Sequence, residues 1–183
     1  ETTGLNPKND RILSIGAISV IGNKINIADS FEMYLKQEIF NSNTVEIHGI
    51  LNDGTITKYG EQESIIIFLN YIKESVLVAH HAAFDIAMIN QSLFRMGLPK
   101  LKNKSLDTGI LIKKTTLHKT GKNHYGLDEL SDTFNIKKHD RHTASGDAYI
   151  TGLIFLKILS NLKKTKSITL KELFFNSNKQ GLI

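Results

Sequence analysis

At 183 residues the chain is long enough for one well-packed domain, and a second of ordinary size would be crowded. An apolar content of 40% with a formal charge of +5 fits a globular protein with a modest bias toward anionic partners. The absence of cysteine excludes disulfides and thiolate-held metals. No apolar stretch approaches the roughly 20 residues that cross a bilayer, and Glu1-Thr2-Thr3-Gly4 carries no leader pattern, so a cytoplasmic protein with no membrane partner is expected.

In chain order, Arg11 to Ile21 is rich in β-branched residues and predicts a strand. Gly22-Asn23 then signals a turn into a loosely alternating partner, Ile25 to Lys36, which together make a hairpin. Thr44 to Asp53 reads as loop and short helix. Ile65, Phe68, Leu69 and Ile72 recur at helical spacing within Glu61 to Lys73, and Ser75 to Ala79 is the short apolar run of a buried strand. A helix is predicted over Ala82 to Met96, closed by Gly97 with Pro99 beyond, and Leu106 ends another short strand. Lys113 to Tyr125 is basic and glycine-containing and is expected to be a mobile loop. Helices follow at Leu127 to Phe134, at Thr143 to Leu162, and briefly at Leu170 to Phe175. On the long one, Ala144, Ala148 and Gly152 stand four apart and make one face small enough for close backbone packing. A hairpin followed by helix–strand alternation indicates a mixed α/β sheet. One domain over residues 1–162 and an extension with a short helix over 163–183 are expected.

Three places offer chemistry. Glu1-Thr2-Thr3-Gly4-Leu5 is an acid and a polar turn before a strand, or else a frayed terminus. Ala79-His80-His81-Ala82-Ala83-Phe84-Asp85 runs from a strand end into a helix start. Ligands gather at such strand ends, although Asp85 could equally be a first-turn aspartate serving the helix dipole. His80 and His81 invite a zinc reading, which is opposed by the expectation that adjacent strand residues face opposite ways. In His142-Thr143-Ala144-Ser145-Gly146-Asp147 a histidine precedes a helix. Thr143 would cap that helix, and Asp147 falls near the packing face, where a carboxylate needs a partner.

Together these stretches resemble the DnaQ-like (DEDDh) exonucleases, the family of the proofreading ε subunit of bacterial DNA polymerase III. The family's Asp-x-Glu-Thr-Gly, Asn-x-x-Phe-Asp and His-x4-Asp motifs correspond in order to Glu1-Thr2-Thr3-Gly4, His81-Ala82-Ala83-Phe84-Asp85 and His142 with Asp147. Ile47-His48-Gly49-Ile50, Leu106-Asp107-Thr108 and Tyr125-Gly126-Leu127-Asp128-Glu129-Leu130 add to the likeness, which extends to about Leu159. His81 replaces the family's asparagine. The family's first aspartate would fall two positions before Glu1. A fragment of a longer protein, poorly active as it stands, is therefore expected, with most of the central strand of a ribonuclease H-like sheet missing.

The resemblance implies hydrolysis of the terminal phosphodiester at the 3′ end of single-stranded DNA, in proofreading or repair. Glu1, Asp85 and Asp147 would be the metal ligands, and His142 the general base, since a histidine can accept a proton at neutral pH. Oxygen ligands imply Mg²⁺ or Mn²⁺, two ions about 3.5–4 Å apart. Thr3, Gly4, Leu5, His48 and Phe84 would form the nucleotide pocket, with Phe84 as plain core the alternative. The basic loop Lys113 to Lys122 would meet the phosphate backbone. A DNA polymerase subunit is the implied protein partner. RNA ends, as in RNase T or oligoribonuclease relatives, or a non-catalytic nucleic-acid-binding or polymerase-docking module, are the competing readings.

Overall fold

The computed structural model describes residues 1–38, 41, 45–46, 48–51, 55–165 and 167–175. Strands β1 (Ser14–Ile21) and β2 (Lys24–Tyr34) form the expected antiparallel hairpin, with Ile21 paired to Lys24. Gly22 takes φ 64° in the connecting turn, a conformation costly for any residue with a Cβ. The register slips between Ile18, opposite Ser30, and Ser19, opposite Asn26. This bulge interrupts the alternation of β2 and leaves Ile27 exposed, which is why that strand alternates only loosely in sequence. Residues 1–3 run antiparallel to residues 11–14. Thr3 N–H donates to the Arg11 carbonyl (2.9 Å) and Leu13 N–H to the Glu1 carbonyl (2.8 Å).

Helix α1 (Glu61–Ile72) buries Ile65, Phe68 and Ile72 on the predicted face. Strand β3 (Leu77–Ala79) leads through helix α2 (Ala82–Arg95) to β4 (Ser105–Asp107), which lies parallel to β3 with Ala79 opposite Asp107. Gly97 ends α2 at φ 68°, as its place in the sequence predicts. The Arg95 guanidinium and the Ser92 hydroxyl both donate to the Glu61 carboxylate, at 2.5 and 3.0 Å, and clamp α2 to α1. Helices α3 (Thr108–Leu111), α4 (Leu127–Thr133), α5 (Ala144–Thr165) and α6 (Leu170–Phe174) complete the chain.

The mixed α/β class holds, but the sheet is in two pieces among the described residues: the β1–β2 hairpin and the β3–β4 pair. Helix α5 packs against both and makes them one body. Its small-residue face explains how closely it approaches. Gly16 on β1 lies so near the backbone of Ala144 and Ser145 that a Cβ there would overlap it, and Gly152 sits against Ile25 and Ile18. Two apolar clusters form the core. One surrounds Ile150, Ile154 and Ile158 of α5, and the other joins Ile15, Phe31, Ile65, Phe68 and Leu93 beneath the hairpin.

The basic loop is fastened rather than free. Ile112–Lys114 makes a single 3₁₀ turn. Lys114 Nζ donates to the carbonyls of Glu172 and Leu173 on α6. Tyr125 is buried, and its hydroxyl oxygen accepts from the Lys119 N–H (2.9 Å) and meets His118 Nδ1 (2.9 Å). A sequence rich in lysine gives no sign of such an anchor. Of the short helix expected in Thr44 to Asp53, residues Val45, Glu46 and His48 are helical, while Ile47 and much of the remainder lie outside the described residues.

Candidate active site

Glu1 is held by the strand pairing around it. Its carbonyl accepts from Leu13 and Ser14, and its α-ammonium group donates to the Ser14 carbonyl (2.8 Å). The polar turn that follows is knotted by Asp10. The Thr3 hydroxyl donates to Asp10 Oδ1 (3.0 Å) and Asn6 N–H to Oδ2 (2.8 Å). A Cβ on Gly4 would collide with the same carboxylate, so the turn needs glycine there. Thr3 is fully buried with its hydroxyl engaged inside the turn, whereas Leu5 is 85% exposed, a large apolar side chain presented to solvent. Of the predicted pocket residues, Leu5 is thus displayed outward and Thr3 props the turn from within.

Asp85 lies in the first turn of α2 without capping it. The cap is supplied by Asp107, from the end of the neighbouring strand β4. Its Oδ2 accepts from Ala82 N–H (2.9 Å), and its Oδ1 from Gly109 N–H (2.8 Å) and Ile110 N–H (3.3 Å). One carboxylate therefore caps two helices and leaves Asp85 without that duty. Asp85 as a residue is exposed, but protein crowds round its carboxyl group and strips its hydration, pushing its pKa up to about 6. The α-ammonium group opposes that rise, while the charges on Asp107 and Glu1 add to it. Phe84 is partly buried and packs against the cluster beneath the hairpin, consistent with its alternative role as core.

His80 and His81 lie beyond the end of β3, not on it. His81 adopts φ 67°, which turns the chain so that the two rings meet edge to face, centroids 4.6 Å apart, instead of facing opposite ways. His80 Nδ1 is 2.8 Å from Thr108 Oγ1. Burial, reinforced by His81, pushes its pKa down to about 4 against the opposing pull of Asp107, so His80 is a neutral packing group.

Asp147 has found a partner. The Arg141 guanidinium donates to its Oδ2 (2.5 Å) and to Asp128 Oδ1 (2.8 Å), so a cationic side chain stands where the sequence invited a metal ion. The pKa of Asp147 still lies above the ordinary carboxylate range. Burial raises it more than Arg141 lowers it, and Glu1 adds to the rise. Thr143 caps α5 as expected, accepting from Gly146 N–H (3.1 Å). His142 is exposed at φ 66°; its backbone N–H reaches Asp147 Oδ1 (3.4 Å), and its Nδ1 lies 3.3 Å from Arg141 Nη1.

The charge on Glu1 is felt at Asp85, at Asp147 and at His48. Strand pairing near the N-terminus, the start of α2 and the start of α5 thus converge on one acidic centre. His48 is buried beside it. Its Nδ1 accepts from Ile50 N–H (3.0 Å), and its Nε2 has no partner among the described residues. Burial lowers its pKa, with Glu1 opposing and the α-ammonium group assisting. The donor set fits a hard cation in kind: three carboxylates, two of them raised by desolvation and mutual repulsion. As they stand, however, no group of three His, Asp or Glu side chains among the described residues could hold an ion, and Arg141 already pairs with Asp147. Asp107 and Arg141 are the site residues that sequence reasoning missed. Asp107 stood out only as a landmark, and nothing in the sequence singled out Arg141.

The N-terminal pairing, the β3–α2 junction and the start of α5 thus carry the candidate acidic residues on a mixed α/β scaffold. The exonuclease family designated RNase T matches residues 1–155, and the chain belongs to that family. It is 33% identical to the DNA polymerase III subunit epsilon of Buchnera aphidicola subsp. Schizaphis graminum over 191 residues, covering 99% of this chain and 77% of that protein. It is 36% identical to the PolC-type DNA polymerase III of Caldanaerobacter subterraneus over 167 residues, 90% of this chain but only 11% of that much longer protein. Among solved structures, E. coli exonuclease I in complex with a dT13 oligonucleotide superposes with a TM-score of 0.75 at 17% identity, over 90% of this chain and 40% of that one. That likeness speaks for the fold. No described helix is long and apolar enough to cross a membrane.

Proposed function

We propose that the chain is a 3′→5′ exonuclease unit that hydrolyses the terminal phosphodiester of single-stranded or frayed DNA and releases nucleoside 5′-monophosphates. The observation that carries this reading is the match of residues 1–155 to an exonuclease family, with Glu1 close enough to raise the pKa of both Asp85 and Asp147. Mg²⁺ or Mn²⁺ held by these carboxylates would offset phosphate charge and acidify water when bound. Asp85 and Asp147, both raised in pKa, would be held ionised there.

His142 takes the proton of the attacking water. A guanidinium can only donate, so with Arg141 at 3.3 Å the lone pair of His142 Nδ1 is engaged, and a neutral ring then carries its proton on Nε2. Proton uptake therefore requires Arg141 to withdraw, and the same movement uncovers Asp147. Leu5, a large apolar side chain exposed to solvent, would press against the terminal base, with the buried His48 behind it. Support for a polymerase partner comes from the names of the relatives described above.

The test uses the full natural protein with a 5′-labelled single-stranded DNA and Mg²⁺, beside an RNA of the same sequence. Stepwise shortening from the 3′ end with release of 5′-monophosphates, stopped by EDTA, is the expected result. His142→Ala should slow it by about 10²–10⁴-fold with an unchanged circular dichroism spectrum. Internal cuts, 3′-phosphate products, or wild-type turnover in His142→Ala would overturn the assignment.

A further inference from the structure

A pair of aromatic rings outside the acidic centre is left without a task by this chemistry. The rings of His81 and His124 are stacked, with centroids 4.7 Å apart and planes 16° from parallel, and both residues are exposed. They come from different elements. His81 is thrown outward by its positive φ at the start of α2, and His124 stands in the basic loop beside the buried anchor Tyr125. The pair is supported from behind. The edge of His80 meets His81 at 77°, and His80 is itself pinned to Thr108. Among the described residues no hydrogen bond ends on either the His81 or the His124 ring, so what the pair offers is a flat aromatic surface. Lys122 lies over the Tyr125 ring (5.1 Å) and pairs with Glu129, and the Lys119 N–H is tied to the Tyr125 hydroxyl. Lys119 and Lys122 thus share the anchor that holds the loop carrying His124. His81 immediately precedes α2, four residues before Asp85, so the platform and Asp85 share the N-terminal end of that helix.

We infer that the His81–His124 pair is a stacking platform for an unpaired base of the single strand whose 3′ end occupies the acidic centre. A planar ring face suits every base, since each has a π-face, and exposed imidazoles are known partners for unstacked bases. The basic loop that carries His124 suits the sugar–phosphate backbone, which demands charge and no particular sequence. The platform would hold the strand one or more nucleotides inward of the scissile bond without reading its sequence. This inference rests on the exonuclease reading above.

The test is a binding cycle in EDTA, read by fluorescence anisotropy of a labelled single-stranded DNA, so it does not depend on turnover. His124→Ala should weaken binding about tenfold, His124→Phe should restore it, and His124→Leu should not, because the contact is aromatic. A set of oligonucleotides carrying one abasic site at successive positions locates the base. In the wild type one position near the 3′ end should lose about tenfold, and in His124→Ala that position should lose nothing further. Equal affinity of wild type and His124→Ala would overturn the platform. So would a His124→Ala loss that is the same at every abasic position, which would mark the ring as scaffolding for the loop. Failure of wild-type hydrolysis in the preceding test would overturn the exonuclease reading, whereas these outcomes bear on the platform alone.

Discussion

Replacing Arg141 with glutamine keeps a polar side chain of similar reach but withdraws the charge that Asp147 faces. The Arg141 and Asp147 side chains are 22% and 25% exposed and meet at 2.5 Å, while Asp128, the second partner, is 51% exposed. Breaking a fully buried pair costs about 3–5 kcal/mol and an exposed one about 0–1 kcal/mol, so this partly buried junction should cost about 2 kcal/mol at pH 7. The pH dependence follows from the two carboxylates. Asp147 already sits above its ordinary pKa through burial, and losing Arg141 raises it further, so its ionisation penalises the variant only as pH rises through that value. Asp128 is held below its ordinary pKa chiefly by its hydrogen bond from Arg141. That contribution, present at neutral pH in the wild type, disappears as pH falls through the depressed value. Both differences shrink in acid. Urea unfolding should therefore show a deficit of about 2 kcal/mol at pH 7 that shrinks at acid pH, below the ordinary carboxylate range. Equal deficits at both pH values would refute the reasoning and make Arg141 a packing residue. Mg²⁺ at pH 7 should also raise the melting temperature of Arg141→Gln more than that of the wild type, because the guanidinium no longer competes for Asp147.

Asp107→Ala removes the cap of two helices and should cost about 2 kcal/mol in guanidinium unfolding. Because the Asp107 charge helps to raise Asp85, the same variant should lower the Asp85 pKa from about 6 in a carboxyl-carbon NMR titration; an unmoved value would refute the coupling. Gly16→Ala forces a methyl group into the backbone of Ala144 and Ser145 and should destabilise by at least about 1–3 kcal/mol, with a loss of turnover because α5 carries Asp147; unchanged urea stability would show that the helix can yield. Glu61→Gln should weaken the α1–α2 clamp by about 1–2 kcal/mol at pH 7. Burial alone would raise the Glu61 pKa, but Arg95, with Ser92, holds it below the ordinary value. The wild-type advantage is therefore present above the unfolded pKa and fades as pH falls through the folded one; an advantage that persists in strong acid would contradict this.

Much of the scaffold was legible because its signals are local. The Gly22-Asn23 turn, the helical spacing of Ile65, Phe68 and Ile72, the Gly97 stop and the Thr143 cap each depend on residues within a turn or two of one another. The small face of Ala144 and Gly152 was readable for the same reason, although the partner that needs it, Gly16, lies more than a hundred residues away. The ordered motifs also told where the acids would be. They could not tell what surrounds each one. The mobile loop expected over Lys113 to Tyr125 is moored because Tyr125 turns inward, and the opposed histidines meet because His81 leaves the strand in a left-handed conformation.

By itself, then, the sequence determined the family, the mixed α/β class and the identity of Glu1, Asp85, Asp147 and His142 as candidates, since periodicity and short-range motifs survive in one dimension. Only the tertiary structure decided their states. Parallel pairing of β3 with β4 brought Asp107 to the start of α2 and released Asp85 from capping. The turn before α5 laid Arg141 across Asp147 and His142, and the anchored loop stacked His124 on His81. Charge, burial and stacking are set by distances in space, and residues far apart in the chain acquire those distances only when the core closes.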